Sequence, residues 1–359
     1  MSATTAGATS RLPGPRLAVV GATGAVGAVM LSLLGERPAL WGDLRLVASA
    51  RSAGRKLAVG AEQLEVQALA PEVFDGVDVA VFDVPDEVSA RWAPVASGRG
   101  AVAVDNSGAF RMEPDVPLVV PEVNPQAVRE RPRGIISNPN CTTLSMIVAI
   151  GALHRRFGVE ALVVASYQAA SGAGQAGIET LYDQIEAVAG ARDVGQVAGD
   201  VRKSVGGALG PFPAPLALNV VPWAGSAKPD GWTSEELKVR NESRKILGLP
   251  GLRVSATCVR VPVVTTHSLA VHATFASEVS AEEARDVLRA APGVVVLDDS
   301  AGTEFPTPAD VVGTDPTYVG RIRRALDDAC ALDLFLCGDN LRKGAALNTL
   351  QIAEMVARG

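Results

Sequence analysis

Cys141 stands in the run Ser137 to Thr143 (SNPNCTT), between an Asn-Pro turn and the apolar residues Leu144, Met146, Ile147 and Ile150, which have helical spacing. Pro139 ends whatever precedes it, so the pattern predicts Cys141 in the first turn of a helix. Unpaired backbone N–H groups and the positive end of the helix dipole favour thiolate over thiol there, which predicts a nucleophile with a lowered pKa. A lone cysteine is more often core filler. Cys258, Cys330 and Cys337 lie inside apolar strand-like runs and take that reading, whereas Cys141, bracketed by Asn138, Asn140, Thr142 and Thr143, does not.

A second motif suits phosphate. Gly21, Gly24 and Gly27 form GxxGxxG directly after the strand-like RLAVV and at the start of a helical run. Glycine lets the backbone approach a pyrophosphate, and a helix N-terminus favours its charge. A packing role alone is the competing reading of a glycine triplet, and its strand-turn-helix setting favours the coenzyme. Beyond the second strand stand Arg51, Ser52, Gly54, Arg55 and Lys56 in place of the acidic residue that holds a ribose 2′-hydroxyl. Cations there suit a 2′-phosphate, so the expected coenzyme is NADP.

These groups need a frame. Strand-like runs at Arg16–Val20, from Leu44, at Val77–Phe82 and at Ala101–Val104 alternate with helical stretches, as in a parallel sheet with helices on both faces. Past Cys141, alternating segments at Ala161–Gln168, Leu252–Val264 and His267–Phe275 point to a mixed or antiparallel sheet, with helices at Gly177–Val188 and Ser234–Leu247. Asn340–Arg358 reads as an amphipathic helix that returns to the first domain. The expected organisation is α/β: a disordered tail over 1–15, a Rossmann-type doubly wound domain over 16–138 plus 340–359, and an α+β catalytic and dimerisation domain over 139–339. The chain has 359 residues, 48% of them hydrophobic, and a formal charge of −6 without a long basic block, which argues against nucleic acid or an anionic membrane as partner. Four cysteines without metal-type spacing to the three histidines indicate a reducing, cytoplasmic setting and no metal site. The first residues lack the apolar core of a signal peptide, and no run is long enough to span a bilayer.

With SNPNCTT, VVGATGAVG and the tail GDNLRKGAALNTLQIAE in view, the chain resembles the aspartate-semialdehyde dehydrogenase family from about Arg16 to its C-terminus. NSGAFRMEPDVPLVVPEVN from Asn106, SYQAASGAGQAGIETL from Ser166 and VSATCVRVPVVTTHS from Val254 extend the resemblance in the same order. It implies reduction of aspartyl 4-phosphate to the semialdehyde with NADPH through a cysteine thioacyl enzyme, on the route to lysine, threonine and methionine. It implies a homodimer or homotetramer and small-molecule partners only.

The resemblance also implies roles. Cys141 corresponds to the nucleophile, His267 to the acid/base and Gln168 to the group that orients the acyl chain; Asn140 and neighbouring N–H groups would stabilise the oxyanion. Taken alone, His267 reads as a polar strand residue. Arg260 corresponds to the arginine on the substrate carboxylate, Arg111 and Lys238 to the pair on phosphate, and Glu235 to the acid on the substrate ammonium. Without the resemblance, Glu235 and Lys238 read as a solvated ion pair. Thr23 to Val26 (Thr23, Gly24, Ala25, Val26), with Gly21, Gly27, Arg51, Ser52, Ser171, Gly172 and Asn340, occupy coenzyme positions. His154 and His272 match no such position.

The chain departs from the family at three places. Asp83-Val84-Pro85-Asp86 replaces a small glycine-bearing loop, Thr266 replaces the glycine before the histidine, and Gly108 replaces a serine. Two carboxylates and a proline beside a diphosphate predict weakened coenzyme binding. Two alternatives stay open: a paralogue acting on a related acyl phosphate such as N-acetylglutamyl phosphate, or a non-catalytic nucleotide-binding paralogue.

Overall fold

The computed structural model describes residues 14–37, 40–299, 301 and 303–359, so the tail expected over residues 1–15 lies outside the described residues except for Gly14 and Pro15. Seven strands form the first sheet: β1 (Arg16–Val20), β2 (Asp43–Ala48), β3 (Lys56–Val59), β4 (Glu62–Ala68), β5 (Val79–Phe82), β6 (Val102–Asp105) and β7 (Ile135–Ser137), in the order β3-β4-β2-β1-β5-β6-β7. All pairings are parallel except β3 with β4. The central strands are apolar on both faces because both are covered. Leu17 and Val19 pack with Met30, Leu33, Leu350 and Ile352 from the helices Ala25–Glu36 and Leu347–Arg358. Ala18 and Val20 face Ala93 and Ala96 of the helix Asp86–Gly98 on the other side. This is the doubly wound arrangement expected.

The second sheet comprises β8 (Val159–Gln168), β9 (Arg253–Arg260), β10 (His267–Phe275), β11 (Val294–Val296), β12 (Thr317–Arg324) and β13 (Ala331–Gly338), ordered β11-β12-β13-β10-β8-β9. It is mixed, with β8–β9 and β11–β12 parallel and the remaining pairs antiparallel. One face buries Leu162, Val164, Leu269, Val271 and Leu334 against the helices Cys141–Phe157, Ser234–Leu247 and Ala281–Arg289. The other is open: Val163 is 55% and Tyr167 40% exposed.

Three sequence expectations need correction. Leu252–Val264 is not one strand: β9 stops at Arg260, and Pro262, without an N–H, cannot continue the ladder. Asn340–Arg358 is not one α-helix: Arg342–Ala346 form a π-helical turn, because the Asp339 carboxylate takes the Leu341 and Arg342 N–H groups and the Asp339 carbonyl takes that of Gly344. Cys330 lies half-buried in the turn before β13, whereas Cys258 and Cys337 are buried strand residues. Among the described residues no helix is long and apolar enough to cross a membrane.

Candidate active site

Cys141 opens the helix Cys141–Phe157, and Asn140 is its N-cap, with Oδ1 accepting from the Thr142 N–H (2.9 Å) and the Thr143 N–H (3.4 Å). The β7 strand delivers the chain to this point, and Pro139 separates strand from helix. His267, fully buried at the start of β10, brings Nε2 to 3.3 Å from Cys141 Sγ. Its Nδ1 accepts the Ala169 N–H at 3.0 Å, so in the neutral ring the proton is on Nε2 and faces the sulfur. Burial holds the ring at about 3, with Arg260 adding to that and Glu235 opposing it.

The lowered thiol pKa expected from sequence is corrected. Burial pushes Cys141 up to about 11, Glu235 adds to it, and Arg260, Arg111 and Lys238 pull the other way. Asn140 also occupies two of the helix N–H groups, those of Thr142 and Thr143, so they are not free to solvate sulfur. The thiol is therefore the resting form.

Charged groups ring this pair. Glu235 is buried and accepts from Asn140 Nδ2 (2.7 Å), Thr142 Oγ1 (3.2 Å) and Lys238 Nζ (3.5 Å). Burial opposes its charge, but Lys238, Arg260 and the Asn140 hydrogen bond prevail and hold the carboxyl below its ordinary range. Gln168 donates to Thr142 Oγ1, while its Oε1 is buried and has no partner. Arg260 Nη1 donates to the Ala169 carbonyl at 2.9 Å, beside the backbone that fixes His267. A Cβ on Gly172 would lie 2.3 Å from Arg260 Nη1 and 3.1 Å from the His267 ring, so glycine there makes room for both. Arg111 pairs with Glu242 (3.2 Å) and donates to the Asn106 carbonyl at 2.6 Å. Asn140, expected at the oxyanion, has its amide on Glu235 and its backbone N–H on Glu242 Oε2 at 2.6 Å.

Sequence reasoning missed Glu242, which joins Arg111 to Asn140, and Thr142, whose hydroxyl lies between Gln168 and Glu235. The one signal for Glu242 was its place two helical turns after Glu235, on the same face. The Ala169 N–H that sets the His267 tautomer is a backbone group and left no signal.

Thr266, where the family carries glycine, has φ +86°, a region a β-branched residue rarely occupies. Such strain costs about 1 to 3 kcal/mol and persists only where the surroundings impose it. Here the Thr266 N–H donates to Asn340 Oδ1 at 2.8 Å, and Asn340 is hydrogen-bonded in turn to Ser171. That set fixes the residue immediately before His267.

The glycine turn fits a diphosphate. Gly21 has φ +97°, and a Cβ there would sit 2.0 Å from the Asp83 carbonyl; one on Gly27 would sit 2.4 Å from the Gly21 carbonyl. Gly24 caps the following helix without a side chain, and the first turn, with Ala25 and Val26, holds no acid, so its N–H groups are left for an anion. Thr23 and Gly24 are exposed at the turn, and Arg51 and Ser52 lie in the single 3-10 turn Ala50–Ser52 that follows β2, with Arg51 exposed. Of the two loop carboxylates, only Asp83 faces the turn, 3.7 Å from where a Gly24 Cβ would be; Asp86 instead accepts the Gly108 N–H at 2.8 Å.

The chain is similar to known proteins over nearly its whole length. Residues 16–131 match the family described as semialdehyde dehydrogenase, NAD binding domain, and residues 150–343 the semialdehyde dehydrogenase, dimerisation domain. An aspartate-semialdehyde dehydrogenase of Streptomyces akiyoshiensis is 48% identical over 344 residues, 95% of this chain and 98% of that protein. The crystal structure of aspartate semialdehyde dehydrogenase II complexed with ASA from Vibrio cholerae superposes with a TM-score of 0.87 at 37% identity, covering 97% of this chain and 99% of that one. A Candida albicans aspartate semialdehyde dehydrogenase with NADP gives a TM-score of 0.71 at 25% identity, covering 96% and 98%.

Proposed function

The chain belongs to the aspartate-semialdehyde dehydrogenase family, and on that premise we propose that it converts aspartyl 4-phosphate and NADPH to aspartate 4-semialdehyde, phosphate and NADP. The observation that carries this reading is the convergence of Cys141 and His267, 3.3 Å apart, with Glu235, Arg260 and Arg111, all buried around them. Two anion-binding arginines and one acid match a substrate with a carboxylate, a phosphate and an ammonium. In this reading residues 16–138 with 340–359 hold the coenzyme, and residues 139–339 carry the chemistry and the subunit contact.

Cys141 Sγ first loses its proton to solvent and then, as thiolate, attacks the acyl carbon; the C–S bond forms as the bond to phosphate oxygen breaks, and Arg111 with Lys238 receives the phosphate. The coenzyme, held by the Gly21–Gly27 turn with Arg51, Ser52, Ser171, Gly172 and Asn340, would supply the hydride that reduces the thioacyl carbon. The resulting oxyanion collapses by expelling the thiolate, which the Nε2–H of His267 stabilises. Gln168, with its unpartnered Oε1, and Arg260 hold the acyl chain in line, and Glu235 takes the ammonium. Asn140 orients the cysteine by capping its helix, and backbone N–H groups at this helix start stabilise the oxyanion. The assay that tests the whole reading is phosphate-dependent NADP reduction with aspartate semialdehyde. Turnover that is absent with this aldehyde but present with an N-acetylated glutamate semialdehyde would overturn the substrate assignment, for which Glu235 is the discriminating residue.

The proposed coenzyme is NADP, read by Arg51 and Ser52 at the end of β2, with Ser171, Gly172 and Asn340 at the nicotinamide end. A charge-assisted contact is worth about 1.5 to 3 kcal/mol, so Arg51→Ala should weaken NADP by at least tenfold and leave NAD nearly unchanged. Equal losses in a fluorescence titration of both coenzymes would remove Arg51 as the discriminator.

A second copy covers the open face of the six-stranded sheet, where Val163 and Tyr167 stand exposed beside Phe335, whose ring lies 6.2 Å from that of Tyr167. Charge buried in an apolar interface is costly. Tyr167→Asp should therefore sediment as a monomer at concentrations where the parent is a dimer; an unchanged dimer would place the contact elsewhere. A free thiol nucleophile is best preserved in a reducing setting, which supports a cytoplasmic location.

A further inference from the structure

The loop Asp83 to Asp86 does more than border the coenzyme. Asp83 Oδ1 accepts from Asn106 Nδ2 at 2.8 Å, and the Asn106 carbonyl accepts from Arg111 Nη2 at 2.6 Å. Asn106 Oδ1 also accepts from Asn138 Nδ2 at 2.7 Å, three residues before Cys141. Asp86 holds the same segment through the Gly108 N–H, and a Cβ on residue 108 would lie 2.9 Å from Asp86 Oδ2. Glycine at 108 thus leaves room for the Asp86 carboxylate at this contact. At its other side, Asp83 lies against the glycine turn.

We propose that Asp83 is a positioning residue that couples the coenzyme's diphosphate to the phosphate held by Arg111, through Asn106. The proposal rests on the coenzyme and phosphate sites assigned above. Asp83 Oδ1 holds the Asn106 amide while its Oδ2 faces the glycine turn. Burial raises this carboxyl above its ordinary range, the Asn106 hydrogen bond opposes that, and Asp105 adds to it. A diphosphate arriving at Gly21 to Gly24 repels the carboxylate toward Asn106. Asn106 is then held more firmly, and with it the carbonyl that orients Arg111. Coenzyme therefore favours phosphate binding, and by linkage phosphate favours coenzyme by the same factor.

The test is NADPH fluorescence titration with and without saturating inorganic phosphate, at matched ionic strength so that screening is constant. For the parent protein, phosphate should tighten NADPH roughly fivefold to tenfold, at the lower end of typical couplings. Asp83→Asn keeps the shape and the acceptor for Asn106 but has no charge to be repelled. It should bind NADPH more tightly in the absence of phosphate, and the factor should fall below about two. Asp86→Asn, which leaves Asp83 in place, should keep the parent's factor, and thermal melts check that both variants fold. A factor equal in the parent and in Asp83→Asn, or a parent factor of one, overturns the coupling. Failure of the parent to bind NADPH at all would instead overturn the coenzyme assignment beneath it.

Discussion

Cys141→Ser should lose phosphate-dependent turnover by roughly four to six orders of magnitude, the scale on which removing a nucleophile acts, while its melting curve stays that of the parent. A serine hydroxyl at this position has no base: the Nε2 that faces residue 141 at 3.3 Å already carries the proton in the neutral ring, since Nδ1 is taken by the Ala169 N–H. The thiol can ionise where the alcohol cannot, even though burial holds it at about 11. That value has its own consequence. In the unliganded protein, alkylation of Cys141 by iodoacetamide should accelerate about tenfold per pH unit from pH 7 to beyond 9, because the thiolate fraction rises by that factor below the pKa. A plateau between pH 6 and 8 would mean that the helix N-terminus prevails over burial after all. An acyl adduct mapped to another residue, or substantial turnover in the serine variant, would sink the mechanism.

The contrast between dipole and burial marks the boundary of what the chain discloses. The placement of Cys141 in a first turn was legible because Pro139 and Asn140 are local signals: one stops the strand, the other caps the helix. The thiol's pKa was not, because it depends on burial, and then on Glu235, Arg260 and Arg111, brought in from segments distant in the chain. The same division runs through the fold. The strand-turn-helix at Gly21 announces itself by glycine spacing, and the buried strands β1 and β5 by unbroken apolar runs. The hairpin β3–β4 is harder to read: Leu57, Val59, Leu64 and Val66 alternate and pack on the core, but the strands are short and their other face is charged and exposed. Glu242 lay hidden in SEELKVRNESRKIL, a run that reads as a solvated face; only the three-dimensional approach of Arg111 and the Asn140 N–H explains why a carboxylate is tolerated there. Its desolvation, which raises the carboxyl, is met chiefly by Arg111 and by that backbone N–H. Resemblance supplied the roles of Gln168, Glu235 and Arg260, and periodicity alone would have left all three as strand and helix residues. It also carried Asn140 to an oxyanion role that competes with the two hydrogen bonds the residue makes on Glu235 and Glu242.

His267→Ala should lower kcat by about 10²- to 10⁴-fold, the usual range for a positioned proton donor. His267→Gln discriminates between the two things an imidazole can do. A glutamine amide places an N–H donor near the position of Nε2 but cannot accept a proton there. If His267 serves by donating from Nε2 to the sulfur and to the developing oxyanion, the glutamine variant should retain roughly tenfold or more over alanine, a share of what one oxyanion donor is worth. The pH profile supplies the independent readout. With the ring held at about 3, His267 is neutral throughout the working range, and its protonation should produce no acid limb near pH 6 to 7 in kcat/KM. A parent profile that does show such a limb, lost in the glutamine variant, together with a glutamine variant as slow as alanine, would establish His267 as the base that takes the thiol proton. In that case the Ala169 N–H must give up Nδ1 on substrate binding, and the turn at Ala169, tied to Arg260 through its carbonyl at 2.9 Å, would be the element that moves.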